Sequence, residues 1–159
     1  MKEVTEQGAF LQLAQLCARS EHCQYELLEK MRRWGMTDEA QARVMQRLMS
    51  ERYVDDERYA RAFARDKSAL QGWGNRKITL ALQRKGISAA DIAAALAEID
   101  AAAAAARCEQ VLVAKWKTLQ RETDPARREA KFFRYALGRG YGYEEIKRIY
   151  DHLRRDKDS

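Results

Sequence analysis

Asp55 and Asp56 are adjacent carboxylates with Glu51 and Glu57 close by. Paired carboxylates can hold a metal ion or carry out acid–base chemistry. They lie in ERYVDDERYARAFARDK (residues 51–67), between Tyr53-Val54 and a run of arginines. A metal site would need further ligands arriving from elsewhere, and none is evident. His22 and His152 are isolated, and Cys17, Cys23 and Cys108 form no CxxC pair. No P-loop, nucleophile elbow or HExxH occurs. The expectation is a non-enzyme with no catalytic residue, no metal and no cofactor.

The aspartates suit a helix start better. Asp55 at the N-cap can accept backbone N–H bonds, and Asp56 and Glu57 then fall in the first turn, where the helix dipole favours negative charge. Val54 precedes the cap and Tyr59 is its staple partner. Tyr59 and Phe63 follow at helical spacing and are expected to face the core.

The cations pose a separate question. Arg58, Arg61 and Arg65 share one helix face, which is either a solvated surface or a basic stripe for an anionic or acidic partner. Arg61, Arg65 and Lys67 lead into Gly72-Trp73-Gly74, and Arg76 and Lys77 open the next helix. Trp73 between glycines either points outward, to stack on a base or anchor a protein, or folds back over the module junction. Arg84 and Lys85 fall in a last helical turn, where cations favour the dipole. Arg127, Arg128, Lys131, Arg134 and Arg139 form the densest basic cluster, a candidate phosphate site or a solvated face.

The elements that carry these residues are helical. The chain has 159 residues, one proline, 46% hydrophobic and 34% charged residues, enough apolar material for a core under a charged surface. Apolar positions recur at spacings of three and four, as in Leu27/Met31, Ile78/Leu82 and Ile146/Ile149/Leu153, and no stretch alternates long enough for a strand. Formal net charge is +6, and residues 106–159 carry 14 Lys+Arg against 9 Asp+Glu. That balance favours anionic partners, nucleic acid first. An odd cysteine count argues against a disulfide framework and for a reducing compartment. The N-terminus carries acids where a secretion signal needs a basic start, and no apolar run is long enough to span a bilayer, so a cytoplasmic chain without membrane contact is expected.

The chain also repeats. Taking Gly35, Gly86 and Gly140 as anchors, 51 and 54 residues apart, the residue eight before each is Leu27, Ile78 or Phe132. The residue four before is Met31, Leu82 or Ala136, and the one after is Met36, Ile87 or Tyr141. The residue nine after is Val44, Ala95 or Ile149. A helix ends, glycine takes the left-handed cap, and a second helix packs back. One further helix precedes each pair, which predicts three three-helix modules over 1–50, 51–102 and 103–159, stacked in an elongated, curved array. Thr37 and Ser88-Ala-Ala-Asp91 are cap signals, and Asp100 is the only candidate break before Ala101–Ala106.

Tyr53-Val54-Asp55-Asp56-Glu57-Arg58-Tyr59, followed by Gly72-Trp73-Gly74 and Lys85-Gly86-Ile87, resembles the central signature of the RecX family, regulators of the RecA recombinase. Glu26-Leu27-Leu28-Glu29-Lys30-Met31 and Arg139-Gly140-Tyr141 are similar to its flanking modules, and the likeness covers roughly residues 10–155. Cys23 stands where the family usually has a capping Ser, and Ala81 replaces a common Glu. The resemblance implies an all-α fold of three tandem three-helix repeats and a monomeric binding protein. It further implies that the protein lies in the groove of RecA–DNA filaments. There it would inhibit extension, ATP hydrolysis, strand exchange and coprotease activity in recombination and SOS-type repair, with weaker direct binding to single- or double-stranded DNA. The rival is a helix-turn-helix DNA-binding protein using Arg76–Lys85 as its recognition helix, although that helix carries Ile78, Leu80 and Leu82 and few base-reading amides.

Overall fold

A computed structural model describes residues 4–158, and every regular element in them is an α-helix. The order is α1 Glu6–Arg19, α2 Gln24–Arg33, α3 Asp38–Ser50, α4 Asp56–Ala69, α5 Asn75–Arg84, α6 Ala89–Ala97, α7 Ala101–Leu119, α8 Pro125–Gly138 and α9 Tyr143–Asp158. These fall into three successive triplets, as the repeat predicts.

The repeat has a physical basis in the turn between the second and third helix of each triplet. Gly35, Gly86 and Gly140 have φ of 75°, 70° and 94°, a region that costs other residues a steric penalty. The residue after each glycine donates its N–H to the carbonyl five residues before itself: Met36 to Met31, Ile87 to Leu82 and Tyr141 to Ala136, at 3.2, 3.1 and 3.4 Å. This bond folds the apolar residue back over the helix it has just left. Leu27, Met31, Ile78, Leu82, Phe132 and Ala136, the positions eight and four before the glycines, are all 0% exposed. Full burial of one such large side chain stabilises by roughly 1.5–3 kcal/mol. Arg52 closes α3 with the same geometry, at φ 62°, without the glycine that made the other turns visible in the sequence.

The helix starts follow from caps. Thr37 Oγ1 accepts from Ala40 N (3.2 Å) and Ser88 Oγ from Asp91 N (3.1 Å). The alanine tract does not fuse α6 to α7: Asp100 caps α7, its Oδ1 accepting from Ala102 N and Ala103 N. Cys23 does cap α2, but little of the capping falls to its thiol. Glu26 reaches back to accept the Cys23 N–H at 3.2 Å, and the side chain of Cys23 is fully buried.

Two compact units share the chain. The first comprises residues up to Ala62 together with Leu82–Ala94, and the second comprises Phe63–Ala81 with the remainder from Ala95. The first has a core of α1, α2 and α3 built on Phe10, Leu13, Leu27, Met31, Val44 and Leu48, with Val54 added. The core of the second is built on Leu112, Trp116, Phe132, Ile146 and Tyr150, whose rings meet at centroid distances of 5.4–5.9 Å.

Candidate nucleic-acid and partner interface

The paired aspartates divide their work between two helices of the first unit. Asp55 Oδ1 accepts from Glu57 N (3.0 Å) and Arg58 N (3.2 Å), which is the N-cap the sequence predicts for α4. Val54 and Tyr59, the staple pair, are both buried. Asp56 does more than complement the dipole of its own helix. Its Oδ1 accepts the backbone N–H of Gln24 at 2.9 Å, and so it caps α2 from 32 residues away. Sequence reasoning missed this bond because nothing local to Asp56 or Gln24 signals it. Desolvation raises the Asp56 pKa, and the nearby Asp91 and Asp55 add to the rise against the Gln24 N–H. Among the described residues no group of three or more His, Cys, Asp or Glu side chains is placed to hold a metal ion.

Within the same unit, Arg58 is built into the structure. Its Nε donates to Glu21 Oε1 (2.7 Å) and its Nη2 reaches the carbonyls of Arg52 and Tyr53 (3.2 and 3.3 Å). Tyr53 is exposed at its edge and meets Phe10 ring to ring at 5.8 Å. Arg61 pairs with Glu57 at 2.7 Å, one turn away. Lys85 lies 3.7 Å from Glu26 and over the Tyr25 ring, whereas Arg84 is exposed with no ion pair among the described residues.

The second unit gathers the remaining central candidates around one turn. Gly72, at φ 66°, opens the α4–α5 turn. Gly74 packs on the α8–α9 turn backbone to backbone: Gly74 N donates to Arg139 O (2.8 Å) and Arg76 N to Gly140 O (3.1 Å). The Tyr141 hydroxyl donates to Gly72 O, and Arg139 Nη2 donates to Gln71 O. Arg139, expected in the phosphate cluster, therefore has its guanidinium engaged in this junction. Trp73 is half-buried. Its ring meets Phe63 edge-on at 6.2 Å and carries the ammoniums of Lys67 and Lys77 at 4.8 and 4.3 Å from its centroid. Phe63, expected in the core, is itself only half-buried and forms this edge contact. Arg65 is 73% exposed with Asp66 at 3.6 Å, and Arg76 is exposed.

In the third triplet the basic cluster is partly neutralised. Arg128 donates to the carbonyl of Glu122 (2.6 and 3.0 Å), Lys131 pairs with the Glu122 carboxylate (2.8 Å), and Arg127 lies 3.7 Å from Asp124. The Lys131 ammonium, together with the Asp124 N–H that donates to Glu122 Oε1 at 3.2 Å, holds the Glu122 pKa below its usual range. Arg134 is exposed with no ion pair among the described residues. No helix among the described residues is long and apolar enough to cross a membrane.

Comparison with known proteins places this arrangement. Residues 55–96 match the second three-helix domain of RecX. The regulatory protein RecX of Pseudomonas entomophila is 35% identical over 134 residues, 84% of this chain and 84% of that protein. That of Mycolicibacterium smegmatis is 34% identical over 87 residues, and there this chain spans 46% of the relative's length. Among solved structures, RecX from Lactobacillus salivarius aligns with a TM-score of 0.78 over 93% of this chain and 96% of that one at 16% identity. A second regulatory protein RecX structure aligns with a TM-score of 0.82 over 92% and 73% at 19% identity. At those identities the structures speak for the fold.

Proposed function

The chain belongs to the RecX family of regulatory proteins, and on that premise we propose that it binds RecA–DNA filaments and inhibits them. Bound in the filament groove as a monomer, it opposes extension, ATP hydrolysis, strand exchange and coprotease activity, and so modulates recombination and SOS-type repair. Its place of action is the cytoplasm, where three free cysteines stay reduced.

One observation carries the reading. The stretch that matches the RecX domain is also where Lys67, Arg76 and Lys77 gather around a hydrogen-bonded turn with no carboxylate partner among the described residues. A filament offers repeated protein surface wrapped on phosphate, and unneutralised cations on a fixed backbone suit that target. The experiment is to add the purified protein to RecA filaments on single-stranded DNA and follow ATP hydrolysis. Substoichiometric inhibition supports the reading. No inhibition, together with tight sequence-dependent duplex binding at about 0.2 M salt, favours an independent DNA-binding protein instead.

A further inference from the structure

An aromatic side chain among cations is the usual form of a base-stacking platform, but Trp73 is differently placed. Lys67 and Lys77 hold their ammoniums over its ring at 4.8 and 4.3 Å from the centroid, in positions a stacked base would need. Phe63 supports the ring edge-on at 6.2 Å. The turn cannot swing away freely, since Gly74 N and Arg76 N bond the carbonyls of Arg139 and Gly140. Neither lysine has a carboxylate partner among the described residues.

We propose that Trp73 is a positioning residue that holds the ammoniums of Lys67 and Lys77 against its ring as preformed cations for the phosphates of single-stranded DNA. The proposal rests on the filament-binding reading and deepens it, naming phosphate rather than protein as what this turn contacts. Two observations favour phosphate. First, α5 begins at this turn with no acidic residue in its first turn, so its positive end and Arg76 add to the same field. Second, both ring-held cations are lysines, compact charges that meet single phosphate oxygens, where paired carboxylates of a protein surface are matched better by the arginine fork.

The test uses the full chain, labelled oligo-dT and no RecA, so that it fails separately from the filament reading. Fluorescence anisotropy across a salt series gives the slope of log K against log salt. Single-stranded phosphate contacts contribute about 0.7 each, so Lys67→Gln with Lys77→Gln reduces the slope by about 1.4. Trp73→Ala reduces it as well, and Trp73→Phe, which keeps a ring under the lysines, restores it. A Trp73→Ala variant that weakens binding equally at every salt with an unchanged slope identifies a stacking platform and overturns the proposal. Oligo-dT binding unchanged in the lysine variants, with loss confined to RecA filaments, assigns the cations to protein and overturns it too. So does failure of the unaltered protein to bind oligo-dT at low salt. The lysine pair carries the test if Trp73→Ala does not fold.

Discussion

Gly74 and Gly140 touch backbone to backbone: a Cβ on Gly74 would overlap the Gly140 carbonyl, and a Cβ on Gly140 would meet Lys77 N at 2.5 Å. The two turns are fastened by the Gly74–Arg139 and Arg76–Gly140 bonds. The glycines are therefore required by contact at Gly74, and by both contact and conformation at Gly140, where φ is 94°.

Gly74→Ala is expected to destabilise by about 1–3 kcal/mol, because backbone rather than a flexible side chain must yield. Gly138→Ala is the control. That glycine ends α8 with open space around it, so alanine should stabilise by about 0.4–1 kcal/mol. Denaturant unfolding of both variants checks the opposite signs.

Asp56→Ala should cost about 0.5–2 kcal/mol through loss of a cap on α2, not on α4. Hydrogen exchange locates the effect: the Gln24 amide loses protection in Asp56→Ala, and the Glu57 and Arg58 amides lose it in Asp55→Ala. Asp56→Asn should be the milder change at neutral pH. It keeps an acceptor oxygen and removes a charge that desolvation and Asp91 already disfavour.

How much of this could be read from residues alone depends on distance along the chain. The helices, the three glycine-closed turns and the caps at Thr37, Asp55 and Ser88 rest on contacts within a few residues, and sequence spacing predicts them. The Asp56–Gln24 bond and the Gly74–Gly140 contact join residues far apart, and no local pattern announces either. The arginines show the same divide. Arg58, Arg61 and Arg65 share a face by spacing, but only the fold reveals that Arg58 is bound to Glu21 and two carbonyls while Arg65 is exposed.

That divide is measurable. Arg58→Ala should destabilise by about 1–3 kcal/mol, since it leaves Glu21 without its cation and two carbonyls without a donor. Arg65→Ala should stay within about 0.5 kcal/mol. Equal and negligible shifts in the unfolding midpoint would return Arg58 to the solvated face.

Burial pushes the Cys23 thiol up to about 11 and raises Cys108 and Tyr59 further in the same direction. Above about pH 9 the unfolded chain loses these protons first. It then binds fewer protons than the folded chain, so stability falls as pH rises from there. Below pH 9 these groups leave stability flat. A urea midpoint series from pH 7 to pH 10.5 checks the sign. With a thiol reagent near neutral pH, half-buried Cys17 should label first, and Cys23 and Cys108 only on unfolding.

The function proposed for this chain is binding to the RecA–DNA filament itself. Sedimentation of filaments assembled on single-stranded DNA with a slowly hydrolysed ATP analogue tests it directly, at about 0.2 M salt, where phosphate contacts alone are weak. The protein is expected to pellet with filaments and to stay in solution with bare DNA or free RecA. Protein left in the supernatant with assembled filaments would contradict it.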